Sequence, residues 1–506
     1  MDRYVKSPDL RELPVGENVA VYHRLLGGLC ILDGEAKDVL AGFDRPQEVA
    51  AAALAGEDKS LESQLVRQLV LRQLLVREPG ATGEADGPGM PGIPAEAKIN
   101  VVQLVLVNAC NFGCTYCFEG VQGTDLEKKE KGAGTLSILA RQKSAGDSVV
   151  VNLNDSVYAS ETRLAHQLDP GNRLMRPESA VEYVEKAIAI ARSTGVTQLM
   201  IQFFGGEPLL NWPAIRAVLH AFGTGAAHGI TLQYTIVTNG SLISEEVASL
   251  FAEHAVGVCV SFDSVKSKSR PLKNGSDSTP IVVEGLRRLQ KYGNRVAINA
   301  ALSSDTWASF DESLVDFAEE HGASEIGVVV DLDPTFYARF GQENIIEKLW
   351  GLVQAGAERN IVVTGYWHQI FQLLLGFNVV PQRGFKNCSA KGAQLSIEPN
   401  GAVFACKASS GHFGSIQEGE GLLQSEVYKH HASLRYENPK ICRGCEIEGF
   451  CAGLCLGPIE KKYGEVDSVE TSACDVYRGI TRRFIQALAP YQVPTFDLAA
   501  ARSAEA

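Results

Sequence analysis

Cys110-Asn111-Phe112-Gly113-Cys114-Thr115-Tyr116-Cys117 follows the apolar run Val101–Val107 and decides how the rest of the chain is read. Three thiols this close can hold three corners of a cubane iron–sulfur cluster and leave one iron without a protein ligand. An open iron can bind a small chelating molecule, which points to chemistry at the metal. A structural zinc site is the competing reading, but such sites take four protein ligands and no histidine stands near this triplet.

Outward from this loop the chain alternates strand and helix. Strands are expected at Val101–Val107, Leu199–Phe204, Leu232–Thr238, Gly257–Phe262, Val296–Leu302 and Glu325–Val330, with helical periodicity between them, as in Glu178–Ser193 and Ile281–Tyr292. Repeated βα units imply an α/β protein with a parallel sheet of six strands, which can curl into a partial (β/α)6 TIM-like barrel. Reactive sites in such folds lie at the carboxyl ends of the strands, where the cysteine loop falls. Phe118 to Arg176 breaks the rhythm with a polar stretch around Lys128-Lys129-Glu130-Lys131. It reads as an insertion at about 120–175, either a flap over the site or a solvated excursion.

Other strand ends carry small and polar residues. The second expected strand runs into Gly205-Gly206-Glu207-Pro208, where glycines let a ligand approach the backbone and Glu207 offers a carboxylate to an ammonium group. Thr238-Asn239-Gly240 and Ser261-Phe262-Asp263 end the third and fourth strands and put small polar groups on the same rim, where they can hydrogen-bond a ribose. Turn formation explains each of these runs equally well.

Seven more cysteines cluster near the C-terminus: Cys388, Cys406, Cys442, Cys445, Cys451, Cys455 and Cys474. Gln394–Glu398 and Ala402–Cys406 alternate around Pro399-Asn400-Gly401, a hairpin that would deliver Cys406 at a defined position. A pair of zinc knuckles is the alternative for this region. Cys30 and Cys259 lie in apolar runs and read as core residues.

Residues 1–78 read as a small independent module. Val19–His23 and Leu29–Leu32 flank Gly27-Gly28 as a hairpin, followed by helical stretches Glu35–Phe43, Pro46–Ala55 and Leu61–Leu75. That order suggests a winged-helix-like outline. A linker rich in Gly and Pro, with Pro88, Pro91 and Pro94, covers 79–98. The rest divides into 99–375 for the sheet and helices, 376–490 for the cysteine-rich domain, and a tail at 491–506.

Composition narrows the class. The chain of 506 residues is 45% hydrophobic and 21% charged, as expected of a globular protein with a large core. A net charge of −13 argues against a nucleic-acid-binding face. The start, Met1-Asp2-Arg3-Tyr4-Val5-Lys6, lacks the apolar core of a secretory signal, and no apolar run is long enough to cross a membrane. A cytoplasmic protein is expected, in which cysteines serve as metal ligands before disulfides.

Together the Cys-x3-Cys-x2-Cys triplet, Tyr116 before its last cysteine and Gly205-Gly206-Glu207-Pro208 resemble the radical S-adenosylmethionine superfamily. The C-terminal cysteines resemble the seven-cysteine SPASM pattern, and the first module resembles a precursor-peptide recognition element. The resemblance implies that Cys110, Cys114 and Cys117 hold a 4Fe–4S cluster whose fourth iron binds S-adenosylmethionine. Tyr116, Gly205, Gly206, Glu207, Pro208, Thr238, Asn239 and Ser261 are then the candidate cofactor contacts. It further implies two auxiliary 4Fe–4S clusters, three in all. Cys442, Cys445, Cys451 and Cys474 would ligate the distal one, and Cys388, Cys406 and Cys455 the proximal one.

Two departures stand out. No cysteine lies between Phe377 and Asn387 to complete the proximal set, and Lys407 stands where sulfatase-maturing relatives carry an acidic base. The implied activity is a peptide maturase that binds a leader through residues 1–78, takes electrons from a flavodoxin or ferredoxin, and forms a thioether or carbon–carbon cross-link. Peptide oxidation, excision or decarboxylation, maturation of a folded protein, and iron–sulfur electron transfer without such chemistry are the alternatives. A DNA-binding winged helix is disfavoured by the module's few basic residues.

Overall fold

The computed structural model describes residues 2–78, 98–117, 172–331, 333–376, 388–433, 440–451, 455–466, 468–487 and 493–500. The expected linker, most of the 120–175 insertion and the stretch from Phe377 to Asn387 lie outside the described residues.

Strands β1 to β6 span Asp2–Lys6, Leu10–Val15, Asn18–His23, Gly27–Leu32, Gln47–Val49 and Leu75–Arg77. Strands β7 to β13 are Val101–Val107, Gln198–Gly205, Thr231–Thr238, Gly257–Ser261, Val296–Leu302, Glu325–Val330 and Val362–Thr364. The last four, β14 to β17, are Gln394–Ile397, Ala402–Phe404, His412–Ser415 and Thr495–Phe496.

All six expected strands are present as β7 to β12 and lie side by side in sequence order, each parallel to its neighbours. Two further parallel strands join them: β13 beside β12, and β14 beside β7. The strand β14 begins the Pro399-Asn400-Gly401 hairpin, so the cysteine-rich region shares a sheet with the cysteine loop. Gly401 takes φ +86°, and β15 returns antiparallel.

Burial alternates along β8 to β12, whereas β7 and β14 are buried on both faces. On β8, Leu199, Ile201 and Phe203 are buried under the helices, while Met200, Gln202 and Phe204 are half-buried on the opposite face. The same parity leaves Cys259 and Ser261 on β10, and Asn299 on β11, facing that second side. One face is therefore core, and the other is a partly open inner surface at the strand ends.

The N-terminal region differs from expectation in two respects. Gln47–Val49 forms a strand where a helix was expected, and β1 and β2 precede the hairpin. Nor is the module's core self-contained. Val19, Val21, Cys30 and Leu32 pack against its own helices, whereas Ala20, Tyr22, Leu29 and Ile31 belong to the main core. Both faces of the β3–β4 hairpin are apolar, so a second body must cover the outer one. The hairpin tip docks on the cysteine-rich region: Arg24 pairs with Glu448, and the Gly449 amide donates to Arg24 O at 3.0 Å.

Candidate active site and cysteine centres

The cysteine loop leaves β7 and is gripped from three sides. Gly206 N donates to Val107 O and Glu207 N to Ala109 O, both at 2.9 Å. A Cβ on Gly206 would overlap Ala109 O, and one on Gly205, which has φ +141°, would overlap Val107 O. The close approach these glycines permit is thus to the loop's own backbone. From the far side, Gly113 N donates to Pro271 O at 2.8 Å and Thr115 N to Ser269 O at 2.9 Å.

Glu207 is 1% exposed and organises two strand ends. Its carboxylate accepts from Thr238 Oγ1 and Asn239 N, each at 2.7 Å, and from Leu209 N at 3.1 Å. Burial raises its pKa, and these donors oppose the rise. Asn239 in turn donates from Nδ2 to Asn111 Oδ1 at 2.8 Å and to Cys110 Sγ at 3.8 Å. Pro208 opens the short turn Pro208–Asn211, whose Asn211 Nδ2 donates to Leu106 O and Met175 O. Ser261 lies half-buried at the end of β10.

Two residues singled out in the sequence, Tyr116 and Asp263, meet here together with an arginine that the motifs did not reveal. Tyr116 donates its hydroxyl to Asp263 Oδ2 at 2.6 Å and accepts from Arg270 Nη1 at 2.8 Å. Asp263 also accepts from Ser269 Oγ at 2.7 Å and Ala301 N at 3.0 Å. Burial disfavours the charge on Arg270, but Tyr116, Cys114 and Asp263 outweigh it and hold the guanidinium firmly protonated. No sequence spacing announces Arg270; it lies in a serine-rich loop with no pattern of its own.

The residues present fit an anionic iron–sulfur group. Burial pushes the Cys110 thiol up to about 11, with Glu207 and the other two cysteines adding to the rise. Ligation must therefore displace protons and be offset by positive charge. Phe112 N at 3.4 Å and Asn239 Nδ2 supply N–H donors to Cys110 Sγ, and the buried Arg270 cation acts on Cys114.

The C-terminal cysteines fall into neighbourhoods. Tyr366 is 44% exposed as a residue, but its phenol end is desolvated, which raises it above the ordinary tyrosine range, and Cys455, Cys388 and Cys406 add to the rise. Cys445 adds to the burial-driven rise of Cys474, while Arg478 opposes it and donates to Cys445 Sγ at 3.9 Å. Cys451 and Cys455 both act on buried Tyr477. Cys445 N donates to Cys442 O at 3.0 Å, closing the turn between those two.

Beside Cys406, Lys407 is 2% exposed and lies 3.6 Å from the fully buried Glu398 carboxylate. Its ammonium also contacts Asn108 Oδ1, and Asn108 Nδ2 donates to Glu398 Oε2 at 2.9 Å. The Lys407 amide donates to Gln103 Oε1 at 2.7 Å, and Gln103 Nε2 to Gln202 Oε1 at 2.8 Å. This network joins the start of the cysteine loop to the segment after Cys406.

On the inner face a cavity of about 350 Å³ opens between β11, β12 and β13. Asn299, Gly327, Thr364, Tyr366, Gln369 and Gln372 line it, and none of the described residues that line it is charged.

Residues 104–316 match the radical SAM superfamily model and residues 388–446 the SPASM iron–sulfur cluster-binding domain. The chain is 35% identical over 472 residues to a radical SAM cyclopropyl synthase, TigE, of Paramaledivibacter caminithermalis, covering 92% of both. A serine-type anaerobic sulfatase-maturating enzyme of Klebsiella aerogenes is 24% identical over 54% of this chain and 70% of its own length. Two solved structures share the fold. SuiB of Streptococcus suis bound to precursor peptide SuiA has TM-score 0.50 and 14% identity, over 93% of this chain and 99% of that one. A structure titled native anSMEcpe with bound AdoMet has TM-score 0.53 and 17% identity, over 77% and 97%. The chain belongs to the radical SAM superfamily, in the branch that carries a SPASM domain. Its cofactors are accordingly 4Fe–4S clusters and S-adenosylmethionine.

Proposed function

We propose that this chain matures a ribosomally made precursor peptide by forming a carbon–carbon bond within it, with residues 1–78 holding the leader. The likeness to a cyclopropyl synthase over 92% of both chains favours that bond over a thioether. The geometric observation that carries the reading is the uncharged cavity. Asn299, Thr364, Gln369 and Gln372 offer the neutral donors and acceptors that peptide amides need.

Cys110, Cys114 and Cys117 would hold the cofactor-binding cluster; Cys442, Cys445, Cys451 and Cys474 the distal auxiliary cluster; and Cys388, Cys406 and Cys455 the proximal one. When bound, these groups and S-adenosylmethionine supply a 5′-deoxyadenosyl radical that takes a hydrogen atom from carbon, and an acceptor for the surplus electron. Asn239 and Arg270 hold the cysteine loop and balance its charge. Gly205, Gly206, Glu207, Pro208, Thr238 and Ser261 shape the rim on which the methionine and ribose parts would rest. Tyr366 stands between the cavity and the proximal cysteines. A flavodoxin- or ferredoxin-type reductant and a cytoplasmic setting complete the reading; no described helix is long and apolar enough to cross a membrane.

Maturation of a folded protein is the second reading, favoured by the likeness to sulfatase-maturating enzymes. Against it, Lys407 occupies the position after Cys406 and is buried against Glu398. The test is anaerobic reaction with the peptide encoded beside the gene. Closing a ring between two carbons removes two hydrogens, so the product must lose the mass of two hydrogen atoms, with one 5′-deoxyadenosine per turnover. An unchanged peptide mass and no 5′-deoxyadenosine would end the proposal.

A further inference from the structure

The edge of β4 is already taken by the chain itself. The strand β17 lies parallel to β4, pairing Thr495 with Ile31 and Phe496 with Leu32. Ile31 N donates to Pro494 O at 2.9 Å, and Asp33 N to Phe496 O at 3.1 Å. Asp33 also caps the helix Gly34–Gly42 by accepting from Ala36 N, and its second oxygen accepts from Ala499 N at 2.9 Å. Leu498 is 3% exposed in the module's core with Leu32, Leu40, Leu65 and Leu69, and Phe496 packs on the same cluster. Thr495 and Phe496 thus form a short strand on the sheet edge, and Leu498, in the helical turn that follows, buries its side chain in the cluster that holds Leu65 and Leu69 of the helix Leu61–Leu71.

That is how an extended peptide docks on a sheet: main-chain hydrogen bonds give the affinity and alternate side chains enter the apolar groove. Besides the two backbone hydrogen bonds of the strand, Asp33 meets Ala499, Asp497 and Leu498, so the polar contacts of the segment converge on one carboxylate beside the sheet edge; its attachment follows within a few residues of the helix Cys474–Gln486.

We propose that the β4 edge is the docking strand for the precursor leader and that residues 493–498 are an internal placeholder the leader must displace. The inference rests on the peptide-maturase reading above. A short tether gives an effective concentration in the millimolar range, so a weak segment still holds the groove most of the time. Apparent leader affinity then falls by the fraction of open groove, about 10- to 100-fold.

The probe is a fluorescein-labelled synthetic peptide of residues 491–506, read by anisotropy. The full chain carrying Phe496→Ala and Leu498→Ala is expected to bind it at least tenfold more tightly than the unaltered chain. Equal binding, or none to either, overturns the placeholder. Hydrogen exchange on the unaltered chain gives an independent arm that does not depend on the variant folding. Addition of the precursor peptide encoded beside the gene should speed exchange at residues 495–499, while Ile31 and Asp33 amides stay protected. Unchanged exchange at 495–499 with precursor bound elsewhere overturns the competition and leaves the maturase reading standing. If the precursor binds neither chain but the labelled peptide discriminates between them, the maturase reading fails and the strand-accepting edge stands.

Discussion

The two cysteine regions are built in opposite ways. The loop carrying Cys110, Cys114 and Cys117 is short, leaves a buried strand, and is fastened by backbone bonds to Val107, Ala109, Ser269 and Pro271. Parts of the chain more than a hundred residues apart converge on it, through Asn239, Asp263 and Arg270. Among the C-terminal cysteines, Cys406 follows the β14–β15 hairpin of the main sheet, whereas Cys442, Cys445 and Cys451 sit in turns closed by near neighbours, such as the bonds from Cys445 N to Cys442 O and from Cys451 N to Ile447 O. The first region is preorganised by the sheet. The turns of the second are expected to lean more on a bound cluster to fix their shape, as small metal-bound modules do.

Replacing one thiol in each region separates these roles and gives the largest effect. Cys114→Ala should abolish 5′-deoxyadenosine formation, a loss of at least about 10³-fold, because no other group supplies the radical. Its fold should survive, since the sheet supports the loop. Cys445→Ala should leave S-adenosylmethionine cleavage measurable and abolish peptide product, with a larger loss of structure around 440–474. Iron content, 5′-deoxyadenosine and peptide mass, measured on both variants, check this. A Cys445→Ala protein with unaltered product yield would remove the distinction.

The buried charges sharpen the same contrast. Lys407→Met strands the fully buried Glu398 carboxylate and should cost about 3–5 kcal/mol. Lys407→Met combined with Glu398→Gln should recover most of it, because no lone charge remains. Arg478 pairs with Asp475 near the surface, with a third of its side chain exposed, so Arg478→Gln should cost no more than about 1 kcal/mol. Denaturant midpoints of the four proteins make the comparison. An Arg478→Gln loss as large as that of Lys407→Met would mean that the turns around Cys442 and Cys445 are as tightly preorganised as the sheet-borne segment after Cys406.

Glycine gives a smaller effect of the same kind. Gly206→Ala forces a methyl group into Ala109 O and should cost about 1–3 kcal/mol together with much of the iron at the first site. Gly444, at φ +84° with open space around it, should cost Gly444→Ala only about 1 kcal/mol of backbone strain. Iron analysis after anaerobic reconstitution reads the first, and a melting curve the second.

What the sequence disclosed follows from the range of each interaction. Strand periodicity and the cysteine spacings are local, and they located β7 to β12 and all ten clustered cysteines. The glycines after β8 were also visible, but what approaches them was not, because Ala109 lies about a hundred residues earlier. Asp263 was visible at the end of the fourth strand, but its bond to Tyr116 was not; Arg270 and the contacts among Lys407, Glu398 and Asn108 join single polar residues brought together by the sheet, and no window of sequence shows those contacts. The dual burial of the β3–β4 hairpin was legible in its unbroken apolar runs, yet those runs fit a self-contained core equally well. The partner strand β17 lies more than 450 residues away, and two residues of strand leave no periodicity to read.

The joint between the N-terminal hairpin and the cysteine-rich region gives the smallest effect, and one set by pH. His23 is 5% exposed and accepts from Leu25 N and Leu26 N through Nδ1, both at 3.2 Å, which shapes the tip that carries Arg24 to Glu448. Burial lowers its pKa to about 4, with Asp9 opposing and Arg24 assisting. Between about pH 4 and the unfolded value near 6.5 the unfolded chain binds the extra proton, so the stabilisation is complete above that upper limit and is lost as pH falls. At pH 5 the loss should be about 1–2 kcal/mol. Amide exchange at 442–451 should therefore accelerate between pH 7 and pH 5, after correction for intrinsic rates, while the 110–117 loop holds. His23→Gln, which carries no titrating proton, should flatten that difference. If exchange at 442–451 rises equally in both proteins, the hairpin tip is not what couples this region to acid.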